Sequence, residues 1–276
     1  MFKKIIPTLA LTAAVLMSCG GSSEDSTPAP TPAPPSSGGT TTGKFTKNVL
    51  IEDYTGTWCG YCPRVAHAID QVMAQSIKAV PVAIHRGNDP YNFPAAAALE
   101  AQIGLTGYPT AMLNRKTTWN SPEPSYVNQV KNLTGTDANL GIALKPTISN
   151  GTINLDVKVK FAADMSGSKL VVYLLENNLT YNQTNYTSYY GGASTLAGFE
   201  HDNVLRATLT DIMGESMNGT TTSGTTWTKT FSQPIPANVS NTSNISVVAF
   251  VMDYNGKVVN VRKANLNEDQ SFEVTP

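Results

Sequence analysis

The stretch that decides the fold reads Asn48-Val49-Leu50-Ile51-Glu52-Asp53-Tyr54-Thr55-Gly56-Thr57-Trp58-Cys59-Gly60-Tyr61-Cys62-Pro63. Its first half, Asn48 to Tyr54, is a short apolar run and reads as a mostly buried strand. Beyond Cys62, the residues Val65, Ile69, Val72, Met73 and Ser76 recur at helical spacing. Pro63 fits the first turn of that helix, where its missing N–H costs little. Two cysteines therefore stand where a strand turns into a helix. There Cys59 meets unpaired N–H groups and the positive end of the helix dipole, which favour a thiolate.

That placement has chemical consequences. Lowering a thiol from about 8.5 to about 7 raises its thiolate fraction but costs nucleophilicity, so attack gains only about threefold. The larger effects are a better leaving group and a more stable dithiol, with Cys62 one turn further in as the resolving thiol. A plain structural staple is the first alternative, but so short a loop contributes only about 2 kcal/mol. A metal site is the second, but one Cys pair supplies two ligands, and His67, His85 and His201 offer no recognisable second pair. The redox reading is favoured, with no metal and no cofactor expected.

Working outward, Ala79 to His85 reads as a second strand and Pro94 to Gln102 as an Ala-rich helix. Gly107-Tyr108-Pro109-Thr110 leads into a third strand, Ala111 to Asn114, and Pro124 to Leu133 as a last helix. After Gly135 the texture changes. Ile153, Leu155, Val157, Val159 and Phe161 alternate with polar residues behind an Asn150-Gly151 hairpin signal. Leu170 to Leu175, Ile245 to Met252 and Lys257 to Val261 are further strands, the last two flanking Asn255-Gly256. This part reads as a β-sandwich of immunoglobulin-like size, with Tyr181 to Ala197 as a surface loop. The expected organisation is an α/β unit over 45–135 and an all-β sandwich over 136–276. Four side chains outside the cysteine turn draw secondary readings. His85 ends its strand and is expected to be solvated, His67 to be exposed, and His201 with Arg206 to pin a loop of the sandwich. Trp119 and Trp227 are expected in the core or at an interface.

The N-terminus carries a different signal. Lys3 and Lys4 precede an apolar run from Ile5 to Met17, too short to span a bilayer, which needs about 20 apolar residues. It reads as a signal peptide over 1–18, and Leu16-Met17-Ser18-Cys19 is similar to the lipobox of bacterial lipoproteins, which implies a lipid (palmitate among its acyl chains) on Cys19. The chain has three cysteines; lipidation of Cys19 leaves Cys59 and Cys62 to pair with each other. Residues 19–44 are rich in Gly, Ser, Thr and Pro and read as an extended tether. Ser22-Ser23-Glu24-Asp25 is similar to the acidic surface-export signal of Bacteroides-type lipoproteins, but either face of the outer membrane stays open.

Composition excludes other classes. There are 19 Lys and Arg against 20 Asp and Glu, and only 14% charged residues, so no basic surface for nucleic acid is expected. No phosphate loop, HExxH or Ser-centred nucleophile motif is present. Sequons at Asn132, Asn178, Asn182 and Asn238 follow from an Asn/Thr-rich composition.

The segment Ile51 to Cys62 resembles the thioredoxin active site. The resemblance implies that Asp53, six positions before Cys59, takes the proton of the resolving thiol. It also implies that Tyr108-Pro109-Thr110 is the loop whose cis-proline holds substrate backbone, and that Trp58, Gly60 and Tyr61 support the pair, Trp58 by shielding it. Gly-Tyr between the cysteines is similar to periplasmic disulfide isomerases, and Pro63 replaces the basic residue of thioredoxins. The whole chain, including Glu200-His201-Asp202-Asn203-Val204-Leu205-Arg206, resembles the Omp28-related outer-membrane lipoproteins, which join a thioredoxin-like domain to a β-sandwich. Together these imply a membrane-anchored thiol–disulfide oxidoreductase whose partners are exported proteins or a redox protein. The competing reading is a surface binding or adhesion module with a vestigial or structural disulfide.

Overall fold

The computed structural model describes residues 44–275. The signal peptide, Cys19 and all of the tether but Lys44 lie outside the described residues. In chain order the first elements are β1 (Phe45–Lys47), β2 (Val49–Thr55), α1 (Pro63–Ala74), β3 (Ala79–His85) and α2 (Ala97–Ile103). Next come β4 (Thr110–Leu113), β5 (Thr117–Thr118) and α3 (Val127–Lys131). The remainder is all strand: β6 (Gly135–Ala138), β7 (Leu140–Ser149), β8 (Thr152–Phe161), β9 (Lys169–Glu176), β10 (Leu179–Thr184) and β11 (Thr195–His201). The last are β12 (Val204–Thr208), β13 (Glu215–Ser216), β14 (Thr226–Pro234), β15 (Ile245–Met252) and β16 (Val258–Asn265).

Strand β2 lies between β3, parallel to it, and β4, antiparallel. Its alternate residues serve different cores. Val49 and Ile51 pack under Val65, Ala68 and Val72 of α1 and Val127 and Val130 of α3. Leu50 and Tyr54 face the other way, toward Leu99 of α2. The buried face of α1 is thus Val65, Ala68 and Val72. Met73 is 48% exposed and Ser76 lies past the helix end at φ 53°, so the helix is rotated from the face expected of it. The last helix is shorter than expected, a 3-10 turn at Glu123–Ser125 followed by α3.

Strands from both sides of residue 135 share one nine-stranded sheet, ordered β16-β15-β9-β12-β3-β2-β4-β5, with β13 on β9. The junction is narrow: Val204 of β12 pairs with Ala83 of β3, and the Ala83 N–H donates to Asn203 O at 2.8 Å. Why the sheet continues follows from β9 and β15, which are buried on both faces. Val172 and Leu174 of β9 and Val247, Ala249 and Val251 of β15 pack against Leu155, Val157 and Val159 of β8. Val171, Tyr173 and Leu175, with Val248 and Phe250, pack instead with Leu50, Tyr54, Val82 and Ile84. Each such side chain is worth about 1.5–3 kcal/mol when fully buried, so neither face can be left to water. The three-stranded sheet β14-β8-β7 covers one face in sandwich fashion, and the β2–β3–α2 layer covers the other. An isolated immunoglobulin-like sandwich would leave that second face bare. A buried ion pair lies at the same boundary: Arg115 Nη2 donates to Glu52 Oε1 at 3.0 Å, and from across it the Tyr173 hydroxyl donates to the same oxygen at 3.0 Å.

Asn150 and Gly151 turn the β7–β8 hairpin with φ of 48° and 73°, the left-handed pair a two-residue turn requires. Tyr181 to Ala197 is not simply a loop. Its two ends belong to β10 and β11, which pair antiparallel and carry the intervening turn to the cysteines.

Candidate functional site

Cys59 and Cys62 are joined by a disulfide with S–S 2.05 Å. Cys62 immediately precedes α1, and its carbonyl accepts from the N–H of Val65 at 3.0 Å, so the pair spans the approach to the helix N-terminus. Both cysteines are buried, at 4% and 2% exposure. The turn that carries Cys59 is covered by the β10–β11 hairpin. Thr184 N–H donates to Thr57 O at 2.8 Å and Tyr186 N–H to Gly60 O at 2.7 Å. The buried Gln183 amide donates to Cys59 O at 2.9 Å and Gly56 O at 3.2 Å. Gly60 is required here: a Cβ would lie 2.2 Å from Tyr186 Cδ2. Tyr61 is 54% exposed and meets the Tyr186 ring edge-on at 5.6 Å.

Asp53 lies on the α1 side of β2 and is buried, and its Oδ1 makes no hydrogen bond among the described residues. Burial pushes its carboxyl well above the usual carboxylate range, the neighbouring Glu123 adds to this, and Arg64 opposes it. Arg64 is itself committed to Glu123, Nε to Oε2 at 2.5 Å. Asp53 and Cys62 share the wall of one cavity of about 480 Å³.

Trp58 is 43% exposed. Its Nε1 donates to Arg86 O at 2.7 Å, and its ring meets Tyr108 edge-on at 5.3 Å. The cover over the disulfide turn comes from the hairpin, while Trp58 ties that turn to the 107–110 loop. In that loop the Tyr108–Pro109 bond is cis, Thr110 Oγ1 donates to Gly107 O at 2.8 Å, and the Tyr108 hydroxyl donates to Glu100. Burial and that carboxylate push Tyr108 up to about 12.

The histidines differ from expectation. His85 is 2% exposed rather than solvated, because β12 and the hairpin close over the end of β3. Its Nδ1 lies 3.0 Å from Asp89 Oδ2, and Asp89 also accepts from Thr57 N–H at 2.6 Å and Tyr91 N–H at 2.8 Å. Burial alone would raise Asp89, but His85 and the two N–H groups outweigh it and hold the carboxyl below its ordinary value. His201 packs at 5.2 Å from the His85 ring. Burial first, then His85, lower it to about 4. Arg206 pairs with buried Glu176, 3.2 Å apart, its guanidinium donates to Asn238 O, and Glu176 accepts from the N–H groups of Ser240 and Asn241, so Arg206 pins a loop of the strand-rich part as expected. His67 is half-buried, its ring stacked at 4.6 Å on Tyr189. Trp119 is buried in the α1 core and Trp227 half-buried against the sandwich core. Among the described residues, no cluster of three or more His, Cys, Asp or Glu could hold a metal ion.

Gln183, Asp89 and the Arg64–Glu123 pair carried no motif in the sequence. The only signal was the Thr/Tyr content of 179–187, which suits a strand but lacks apolar alternation.

The family model described as outer membrane protein Omp28 matches residues 96–270. The chain belongs to the Omp28 family. That membership places this Omp28-family chain among outer membrane proteins. Its fold is similar to that of HBP35 of Porphyromonas gingivalis, 22% identical, over 85% of this chain and 81% of that one, with a TM-score of 0.65. A domain of the outer membrane lipoprotein Omp28 from Porphyromonas gingivalis is also matched, 22% identical, over 48% of this chain and 100% of that one, with a TM-score of 0.31. No curated protein matches significantly.

Proposed function

We propose that this chain is a thiol–disulfide oxidoreductase on a thioredoxin-like α/β unit, held at the outer membrane by a lipid on Cys19 and acting on exported proteins. The observation that carries the reading is the bonded Cys59–Cys62 pair at the start of α1 with the buried Asp53 carboxyl in the same cavity wall as Cys62. As a staple so short a loop contributes only about 2 kcal/mol, so its position is better explained by chemistry. A substrate thiolate attacks the Cys59 sulfur, and the Cys59–Cys62 bond breaks. Cys62 leaves and takes the proton that Asp53 holds. A second substrate thiolate then releases Cys59 as the thiolate, stabilised by the N-terminus of α1. The substrate dithiol has become a disulfide and the protein a dithiol. Pro109 presents the substrate backbone beside this turn.

Equilibration with glutathione tests the reading. Gly60-Tyr61 between the cysteines and Pro63 after them lead us to expect a potential above about −270 mV, toward about −180 mV. A value at or below about −270 mV would make the protein a reductase. Failure to exchange at all would favour the binding-module reading, to which the exposed Trp58, Tyr61 and Tyr186 around the turn lend support. The anchor is tested separately: mass spectrometry of the mature N-terminus should find lipid on Cys19, and Cys19→Ala should release soluble protein.

A further inference from the structure

The two sides of the disulfide differ in what can reach them. The hairpin lies across Cys59. Cys62 instead lines the cavity of about 480 Å³, and Cys59 does not. Its floor is set by strand register: Asp53 pairs with Ala83 and Thr55 with His85, and all four side chains line the cavity. Inside it, two buried polar atoms make no hydrogen bond among the described residues, Asp53 Oδ1 and His201 Nε2. At the mouth, between α1 and the end of β11, stand Asp70, Glu200 and Asp202, all exposed. Among the described residues, no Lys or Arg lines the cavity; half-buried Lys263 interacts with Asp202 from outside the lining.

We propose that this cavity is a binding site for a small cationic thiol, of the size of a short cysteinyl peptide or less, whose sulfur meets Cys62 while its ammonium group faces the three carboxylates. The proposal rests on the oxidoreductase reading and supplies its small-molecule side. The cavity is too small for a folded protein, and the unpartnered Asp53 and His201 atoms offer hydrogen bonds to a polar guest. The thiolate R–S⁻ attacks the Cys62 sulfur, the Cys59–Cys62 bond breaks, and Cys59 leaves as a thiolate at the N-terminus of α1. A second R–S⁻ attacks the mixed disulfide, releasing R–S–S–R and Cys62, which takes its proton from Asp53. Two thiols are oxidised and one protein disulfide is reduced.

The test measures reduction of the oxidised protein, residues 20–276, by cysteamine, 2-mercaptoethanol and 3-mercaptopropionate at low salt. Rates are taken per thiolate, with the neutral thiol as reference within each protein. The ratio of cationic to anionic rates should be on the order of tenfold higher than in the Asp70→Asn/Glu200→Gln variant. Acid quenching and alkylation during the reaction should find the mixed disulfide on Cys62 and the alkyl group on Cys59. An unchanged ratio in the variant, or a mixed disulfide on Cys59, would overturn the site while leaving the oxidoreductase reading intact. A pair that none of the three thiols reduces would overturn both.

Discussion

Cys59 and Cys62 are two residues of one short turn, and the same hairpin reaches both, yet it leaves them in different surroundings. Around Cys59 the contacts are backbone hydrogen bonds from Thr184 and Tyr186, the Gln183 amide and an aromatic ring laid on Gly60. Around Cys62 there is a cavity with titratable side chains, Asp53, His85 and His201. Chain from more than 120 residues downstream reaches both flanks: at Cys59 it lies on the backbone of the turn, while at Cys62 it joins β2, β3 and α1 in forming the walls of a cavity. The difference teaches that two sulfurs of one disulfide can differ in their approaches, since Cys62 lines a cavity and Cys59 does not.

The largest expected effect comes from removing the cover. The backbone hydrogen bonds survive an alanine at 183 or 186, but the Gln183 amide and the ring contact are lost, at about 1 kcal/mol each, and each 1.4 kcal/mol is about tenfold. Gln183→Ala/Tyr186→Ala should therefore raise the exchange rate of Cys59 with an unfolded protein thiol by roughly 30-fold, read by stopped-flow. An unaltered rate would mean that the hairpin does not gate Cys59, and the contrast between the flanks would collapse.

A smaller effect is expected at Asp53. Burial raises its carboxyl in the folded state, so its contribution to stability is fully present below the unfolded value of about 4 and is lost as pH rises. Asp53→Asn should leave stability little altered near pH 3 and raise it at pH 7, by roughly 1–3 kcal/mol for an uncompensated buried polar group. Denaturant titrations at the two pH values check this. The same variant should slow release of Cys62 from mixed disulfides, since the proton donor is gone.

The effect at His201 is confined to acid pH. Its folded value of about 4 lies below the unfolded value of about 6.5, so protonation favours the unfolded chain. The loss begins as pH falls below about 6.5 and levels off near 4, costing about 1 kcal/mol at pH 6 and about 2 kcal/mol at pH 5. His201→Asn should flatten that part of the stability profile. A profile unchanged by the substitution would show that the Cys62 flank is more open to water than its burial indicates.

How much of this was legible beforehand depends on range. The strands β2, β3, β9 and β15, the helix after Pro63 and the Asn150-Gly151 turn all follow from local apolar runs and φ requirements, and all were found close to their places. The rotated face of α1 was missed because Met73 is apolar but sits at the cavity mouth. His85 was misread because a strand end looks solvated until β12 and His201 are packed on it. The 181–197 segment was misread for a related reason: its strands are polar, and they are held by carbonyls of the cysteine turn rather than by a core.

The sequence by itself determined the cysteine spacing, the strand before it, the helix after it and the aspartate between the strand's apolar residues. These are properties of neighbouring residues, governed by periodicity and by the orphan N–H groups of a helix start. The tertiary structure decided that β9, apolar on both faces, joins the two parts of the chain into one sheet. It also decided that Gln183 and Tyr186 close over Cys59, and that Asp53, His85 and His201 meet behind Cys62. Those outcomes depend on the need to cover apolar faces and pair buried backbone groups across the whole molecule, a condition that no local stretch of residues contains.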